Sequence, residues 1–270
     1  MLRRVLTTCV VVLVLVAVGL TAWKLSAHRS VSPTPVSTSN VWSLQDVTSQ
    51  HPVIAFKPGT PDALASLSTG QSLVAKLPHA EPGYNKPGGR AVRTVPGSWW
   101  GYVSELPVIG ETPGWLDVRL AQRPNQSTSW IRSTGVKLST TDYEIVVNLK
   151  TTHLELLKSG NVVDDFPAGV GSSEDPTPEG NYFVAFYAPP PAGQAYLYGP
   201  WVMFTSAHSD AIEDWEGTGD AMIAIHGPIG ADAEIGTTGT QISHGCVRLH
   251  MADQLKLAMV PPGSPIDIVD

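Results

Sequence analysis

A chain of 270 residues with 42% hydrophobic content can bury one or two full cores and does not have the composition of a disordered protein. Its charge is unevenly divided: residues 1–140 hold 13 basic and 6 acidic side chains and residues 141–270 hold 4 and 18, so that +7 and −14 make up the net −7. The acidic second half argues against nucleic-acid binding there and suits a polar or cationic ligand, or a solvated acidic surface.

Residues Val5–Trp23 carry no charge, follow Arg3 and Arg4, and are closed by Lys24. An apolar run of that length predicts a helix that crosses a membrane, with the arginines on the cytoplasmic side. Residues 1–26 therefore read as an uncleaved signal anchor of a single-pass cell-membrane protein, with a cleaved signal peptide and a secreted product as the alternative. In both cases the remainder of the chain lies outside the cytoplasm. Residues 27–64 read as a stalk and linker, because Ser26–Asn40 is rich in Ser, Thr and Pro and nearly devoid of apolar side chains.

From about Ser66 the pattern changes to short apolar or alternating runs such as "SLVAKL", "SWWGYVSELPVI" and "WLDVRLA", separated by Gly, Pro and Asn. These are strand and turn signals without a convincing helix, and they predict a small β module over residues 65–139 whose last strand ends near Lys137. Trp99, Trp100, Trp115 and Trp130 in this region supply either its core and packing surfaces or a face for stacking sugars.

Residues 140–270 predict a second β-rich domain. "YEIVVNL" opens it, "HLELLKSG" leads into a hairpin turn at Ser159–Gly160, "DPTPEGNYFVAFY" is a Pro/Gly loop feeding a strand, and "AMIAIHG" is an apolar strand that ends at a histidine. "MADQLKLAM" is the best helix candidate, and "SPIDIVD" forms a last strand. No internal repeat, Walker-type loop or dinucleotide-binding pattern is present.

The chain has two cysteines, Cys9 in the apolar N-terminal run and Cys246 in "ISHGCVRLH". A membrane-embedded Cys9 cannot reach Cys246, so Cys246 is an unpaired thiol in an exported domain. Such a thiol is a liability unless it is buried, ligated or reactive. A cysteine acyl-transferase needs a histidine to take the thiol proton and backbone N–H groups for the developing oxyanion. His226 at a strand end and the turn at Gly245 supply both residue types. Zinc is the rival chemistry, with Cys246, His226, His244 and His250 as four available ligands, although the spacing matches no common zinc pattern. A small buried cysteine beside surface histidines is the purely structural alternative.

"IHG" at Ile225–Gly227, followed by "SHGCVRL" at Ser243–Leu249, resembles the signature of the YkuD-type L,D-transpeptidases of bacterial cell walls. The resemblance spans about Thr141–Val269 and includes the "PTPEG" loop at Pro176–Gly180; the segment from Ser66 to Lys137 is similar to a bacterial SH3-like module. It implies a mainly β chain built of an N-terminal transmembrane helix, an SH3-like barrel and a YkuD-type β-sandwich with a short helix after the cysteine.

The function implied is acyl transfer on peptidoglycan stem peptides: attack by Cys246 on a tetrapeptide stem, release of D-Ala, and transfer from a thioester to a diamino-acid amine, giving 3–3 cross-links. L,D-carboxypeptidase activity and non-catalytic wall binding are the alternatives. The resemblance assigns His226 as the base and places His244 in the site with Cys246. It implies that backbone N–H groups near His244, Gly245 and Cys246 hold the oxyanion, that Ser243 and His244 shape and polarise the site with Gly227 in a structural part, that Arg248 is available for a substrate carboxylate, and that no metal or other cofactor is needed. It also implies reactivity with carbapenems. Two positions vary from common forms of the signature: Arg248 stands where Asn is often written, and Gly227 where some relatives carry Ser, which leaves only a backbone carbonyl to orient His226.

Overall fold

A computed structural model describes residues 63–270 other than residue 238. The apolar N-terminal run and the stalk lie outside the described residues; among those described, no helix is long and apolar enough to cross a membrane.

Two sheets account for nearly all regular structure. The first holds β1 (Ser72–Leu77), β2 (Glu81–Tyr84), β3 (Ala91–Val95), β4 (Ser98–Trp99), β5 (Tyr102–Thr112), β6 (Trp115–Arg119), β7 (Thr128–Arg132) and β8 (Lys137–Thr141). Its strand order is β3-β2-β7-β6-β5-β1-β8, with β4 paired to β5. The turns follow local chemistry: Pro113–Gly114 joins β5 to β6 with Gly114 at φ 81°, the left-handed conformation that glycine takes without a side-chain clash. The sequence ends the β module at residue 139, with its last strand near Lys137; β8 runs from Lys137 to Thr141, where "KLSTT" lacks a clear apolar alternation but pairs along the length of β1. Ala63 and Leu64, which the sequence assigns to the linker, pack on this sheet's core.

The second sheet contains β9 (Tyr143–Asn148), β10 (His153–Lys158), β11 (Asn161–Gly171), β12 (Gly180–Ala188), β13 (Val202–His208), β14 (Met222–His226), β15 (Gln241–Ser243), β16 (Val247–Leu249) and β17 (Pro265–Val269). The order is β10-β9-β17-β12-β13-β14-β16-β11-β15, and a further β10–β11 pairing closes the path into a ring. Inside it lie fully buried side chains including Ile145, Val147, Leu154, Leu156 and Met203. Two short helices interrupt the strands: α1 (Ala195–Tyr198) and α2 (Met251–Lys256), the latter continuing into a 3-10 turn at Leu257–Met259. The β10–β11 turn falls at Ser159–Gly160, both with positive φ (52° and 75°), as a two-residue hairpin turn matched to the strand twist requires.

β12 explains how the sheets join. Its central run is buried on both faces: Tyr182, Val184 and Tyr187 pack in the second core, while Phe183, Ala185 and Phe186 pack with the first. An apolar run without alternation is what burial on both faces demands. The Phe186 ring stacks between Tyr102 (centroids 4.6 Å apart) and Phe204 (4.8 Å), so aromatic packing is continuous from one sheet to the other. Trp115 is buried in the first sheet, and Trp99 donates its indole N–H to Met222 Sδ at 3.3 Å across the junction. These two tryptophans are packing residues, whereas Trp100 is half exposed.

Candidate active site

β14 and β16 are neighbouring parallel strands, paired with Ile225 opposite Val247 and His226 opposite Arg248. Because side chains alternate along a strand, Ile225, Val247 and Leu249 point into the core, where they are fully buried. Ala224, His226, Cys246 and Arg248 line a cavity of about 420 Å³ on the opposite face. The parallel pairing thus brings together two motifs that lie about twenty residues apart in the chain.

His226 is buried. Its Nδ1 lies 2.7 Å from the Gly227 carbonyl oxygen. A carbonyl can only accept, so Nδ1 carries the proton and a neutral ring leaves Nε2 bare as an acceptor. Burial pushes the imidazole pKa down to about 4, partly opposed by this hydrogen bond and assisted by the Arg248 charge. Gly227 has no room for a side chain: a Cβ would sit 2.8 Å from the Leu197 carbonyl oxygen, and its own N–H donates to Tyr198 O at 2.8 Å. The Tyr198 ring packs against His226 with centroids 5.0 Å apart.

Cys246 is a free thiol with part of its surface accessible. Burial raises its pKa, while a backbone hydrogen bond from Ala224 and the Arg248 charge favour the thiolate. Burial thus favours the neutral form of both side chains.

The turn that presents Cys246 is braced from two sides. Ser243 Oγ donates to Cys246 O at 2.5 Å and accepts the Gly245 N–H at 3.1 Å. The Gly245 carbonyl in turn accepts Thr177 Oγ1–H at 2.7 Å, and Thr177 Oγ1 accepts Gly171 N–H at 2.9 Å. Gly245 itself has φ 110°, and a Cβ there would meet Ile223 Cδ1 at 2.7 Å. Since its N–H is engaged by Ser243, Gly245 is a hinge of the turn and not a donor for an oxyanion, in contrast to the sequence expectation.

His244 occupies the rim, with Nε2 3.9 Å from Asp175 Oδ2 and its ring 5.4 Å from that of Trp215. Arg248 is half-buried; its Nε has no hydrogen-bond partner and, among the described residues, its guanidinium makes no ion pair. Burial lowers its pKa. His250 is directed elsewhere and bonds Asp232 Oδ1 at 2.8 Å. Among the described residues no group of three or more His, Cys, Asp or Glu is arranged to hold a metal ion, so the four zinc ligands considered from sequence do not assemble.

Three residues of the site escape a motif reading. Tyr198 and Trp215 line the cavity from α1 and from the loop 209–220, and Thr177 acts through the Gly245 carbonyl. Only the "PTPEG" loop signalled any of them, without assigning a partner to Thr177.

The fold and site together define a β protein in which a free thiol, a buried imidazole and an unpaired guanidinium line one cavity. Residues 142–268 match the family model of YkuD, the L,D-transpeptidase catalytic domain. A Bacillus licheniformis protein that carries the name L,D-transpeptidase YkuD is 28% identical over 130 residues, which are 48% of this chain and 67% of that protein. Among solved structures, an L,D-transpeptidase from Mycobacterium smegmatis is 16% identical over 58% of this chain and 91% of its own, with a TM-score of 0.37. An L,D-transpeptidase in complex with imipenem is 16% identical over 79% of this chain and 88% of its own, also with a TM-score of 0.37.

Proposed function

We propose that this protein is a peptidoglycan L,D-transpeptidase that works through a cysteine thioester. The carrying observation is His226: its Nδ1–H is fixed on the Gly227 carbonyl, which leaves Nε2 bare, and the residue lines the cavity that contains Cys246. In the first half-reaction Cys246 Sγ attacks the carbonyl between the L-centre and the terminal D-residue of a tetrapeptide stem while Nε2 takes the thiol proton. The carbon–nitrogen bond then breaks, the leaving D-Ala amine recovers the proton from His226, and a thioester remains. In the second half-reaction a diamino-acid side-chain amine on a neighbouring stem attacks the thioester, gives its proton to His226 and forms the 3–3 cross-link. The Cys246 thiolate leaves and is reprotonated.

Backbone N–H groups of His244 and Cys246 are the candidates for holding the oxyanion once Gly245 is discounted. Arg248, with no acidic partner of its own, is suited to the terminal carboxylate of the stem. No cofactor enters, because the thioester conserves the energy of the broken amide. The Val5–Trp23 run is proposed to anchor the chain in the cell membrane with the catalytic domain outside the cytoplasm, and residues 65–139 to form an SH3-like module. Carbapenems, which present a strained amide to the same thiol, are expected to acylate it.

Intact mass of the purified protein after incubation with a carbapenem tests the reading: one adduct is expected on the wild type and none on Cys246→Ala. An unmodified wild type, or an equal adduct on the variant, would refute it. Muropeptide analysis after reaction with tetrapeptide stems separates cross-linking from hydrolysis, since water as acceptor yields tripeptides and no 3–3 dimers.

A further inference from the structure

The loop from Ser209 to Asp220 forms one wall of the cavity through Ile212, Trp215 and Glu216. It is an irregular segment of twelve residues, and its internal bonds are local: Ser209 Oγ accepts the N–H groups of Ala211 and Ile212, and Trp215 N–H donates to Asp220 O at 3.0 Å. At its base Ser209 N–H donates to Ala221 O at 2.8 Å, and a further tie between its two ends comes from the other sheet. Arg123, in the connection between β6 and β7, donates from Nη1 to Ser209 O at 3.0 Å and from Nη2 to Ile212 O at 3.2 Å. Its Nε donates to Asp220 Oδ1 at 3.0 Å. One guanidinium therefore binds the beginning and the end of the loop, with three donors in the fixed fork that only arginine offers.

The contacts flanking this arginine point the same way. Asn125 exchanges a pair of hydrogen bonds with the His208 backbone, donating to its carbonyl and accepting its N–H, both at 2.8 Å. His208, fully buried, bonds Asp220 Oδ1 through Nδ1 at 2.9 Å and the Ala121 carbonyl through Nε2 at 2.7 Å. The hydrogen bonds from residues 121–125 thus converge on the roots of a loop that lines the same cavity as Cys246.

We propose that Arg123 is a positioning residue for the transferase site: the first sheet sets the shape of the substrate cavity by stapling the loop that carries Trp215. Resting on the transpeptidase reading for its functional consequence, this gives the N-terminal module a part in substrate binding without contact between Arg123 and substrate. Arg123→Ala removes the three bonds from the guanidinium to the loop and leaves only the ties at its base, Ser209 N–H to Ala221 O and His208 to Asp220, whereas Arg123→Lys keeps a charge near Asp220 but cannot reach the two carbonyls together. Because the loop is a wall and supplies no reacting group, the effect falls on binding and spares the chemical step.

The test combines hydrogen exchange with saturation kinetics of carbapenem acylation on the purified full chain. In Arg123→Ala, amides of residues 209–220 should exchange faster while those of the two sheets keep their protection. The half-saturating carbapenem concentration should rise about tenfold, the loss expected when charge-assisted hydrogen bonds are removed, with the limiting acylation rate nearly unchanged. Arg123→Lys should fall between. Unchanged exchange in 209–220, protection lost equally across both sheets in both variants, or a fall in limiting rate at constant half-saturation would each overturn the proposal. Exchange needs no catalysis, so a wild type that is never acylated defeats the transferase reading and leaves the staple to be decided by exchange alone.

Discussion

Thr177 Oγ1 donates to the Gly245 carbonyl at 2.7 Å and accepts the Gly171 N–H at 2.9 Å, so one buried hydroxyl ties the "PTPEG" loop and the end of β11 to the residue before Cys246. Gly171 and Gly245 are both buried. Thr177→Val keeps the side-chain shape and removes both bonds, and is expected to destabilise the fold by about 1–3 kcal/mol in denaturant unfolding, the cost of buried polar groups left unpaired. Thr177→Ser should retain most of that stability. Carbapenem acylation should slow in the valine variant more than in the serine one.

His226 yields a pH signature. Its folded pKa is pushed down to about 4 by burial from an ordinary 6.5. The base is therefore bare throughout the neutral range, and the acid limb of acylation should lie near pH 4 instead of near 6.5. Between those values the unfolded chain binds the proton and the folded chain does not, so stability falls with falling pH by about 3 kcal/mol in total from this group. Urea unfolding of the wild type and His226→Gln at a series of pH values should converge in slope only outside that window.

Gly245 combines a left-handed backbone with a near neighbour, φ 110° and Ile223 Cδ1 2.7 Å from the position of a Cβ. Gly245→Ala is expected to cost about 1–3 kcal/mol through the backbone conformation alone, with the contact in addition. Adding Ile223→Val removes the clashing methyl and should recover only the contact part. Thermal unfolding of the single and double variants, with intact-mass acylation rates, measures the two parts.

Arg248 is a half-buried cation without an anionic partner among the described residues. Replacing an unpaired buried charge by an apolar side chain relieves desolvation, so Arg248→Met should unfold at the same temperature as the wild type or a higher one. Affinity for a tetrapeptide stem should weaken by about 10- to 100-fold, the worth of a charge-assisted pair. A stem ending in an amide should bind both proteins equally, which titration calorimetry would read directly.

Some of this was legible in the residues alone. "HGCVRL" marks Cys246, Gly245 and Arg248 because a glycine turn beside a thiol has local meaning, and the Ser159–Gly160 hairpin, the strand ending at His226 and the helix after Leu249 follow from periodicity and turn chemistry. The strand status of "KLSTT" was not legible, since its signal is the β1 edge it pairs with. Nor could the role of the tryptophans be read: Trp99 meets Met222 and Trp115 enters a core, both decided by the partner surface.

The sequence by itself determined the candidate reactive residues, the β character of residues 65–270 and the absence of an intrachain partner for Cys246 outside the apolar run, because each depends on residue type and short-range spacing. The tertiary structure decided which groups meet. Parallel pairing of β14 with β16 sets His226 beside Arg248 and both on the face of Cys246. The Thr177 bridge and the Arg123 staple join residues separated by 68 and by up to 97 positions. Their hydrogen bonds depend on relative positions that only the packed sheets establish.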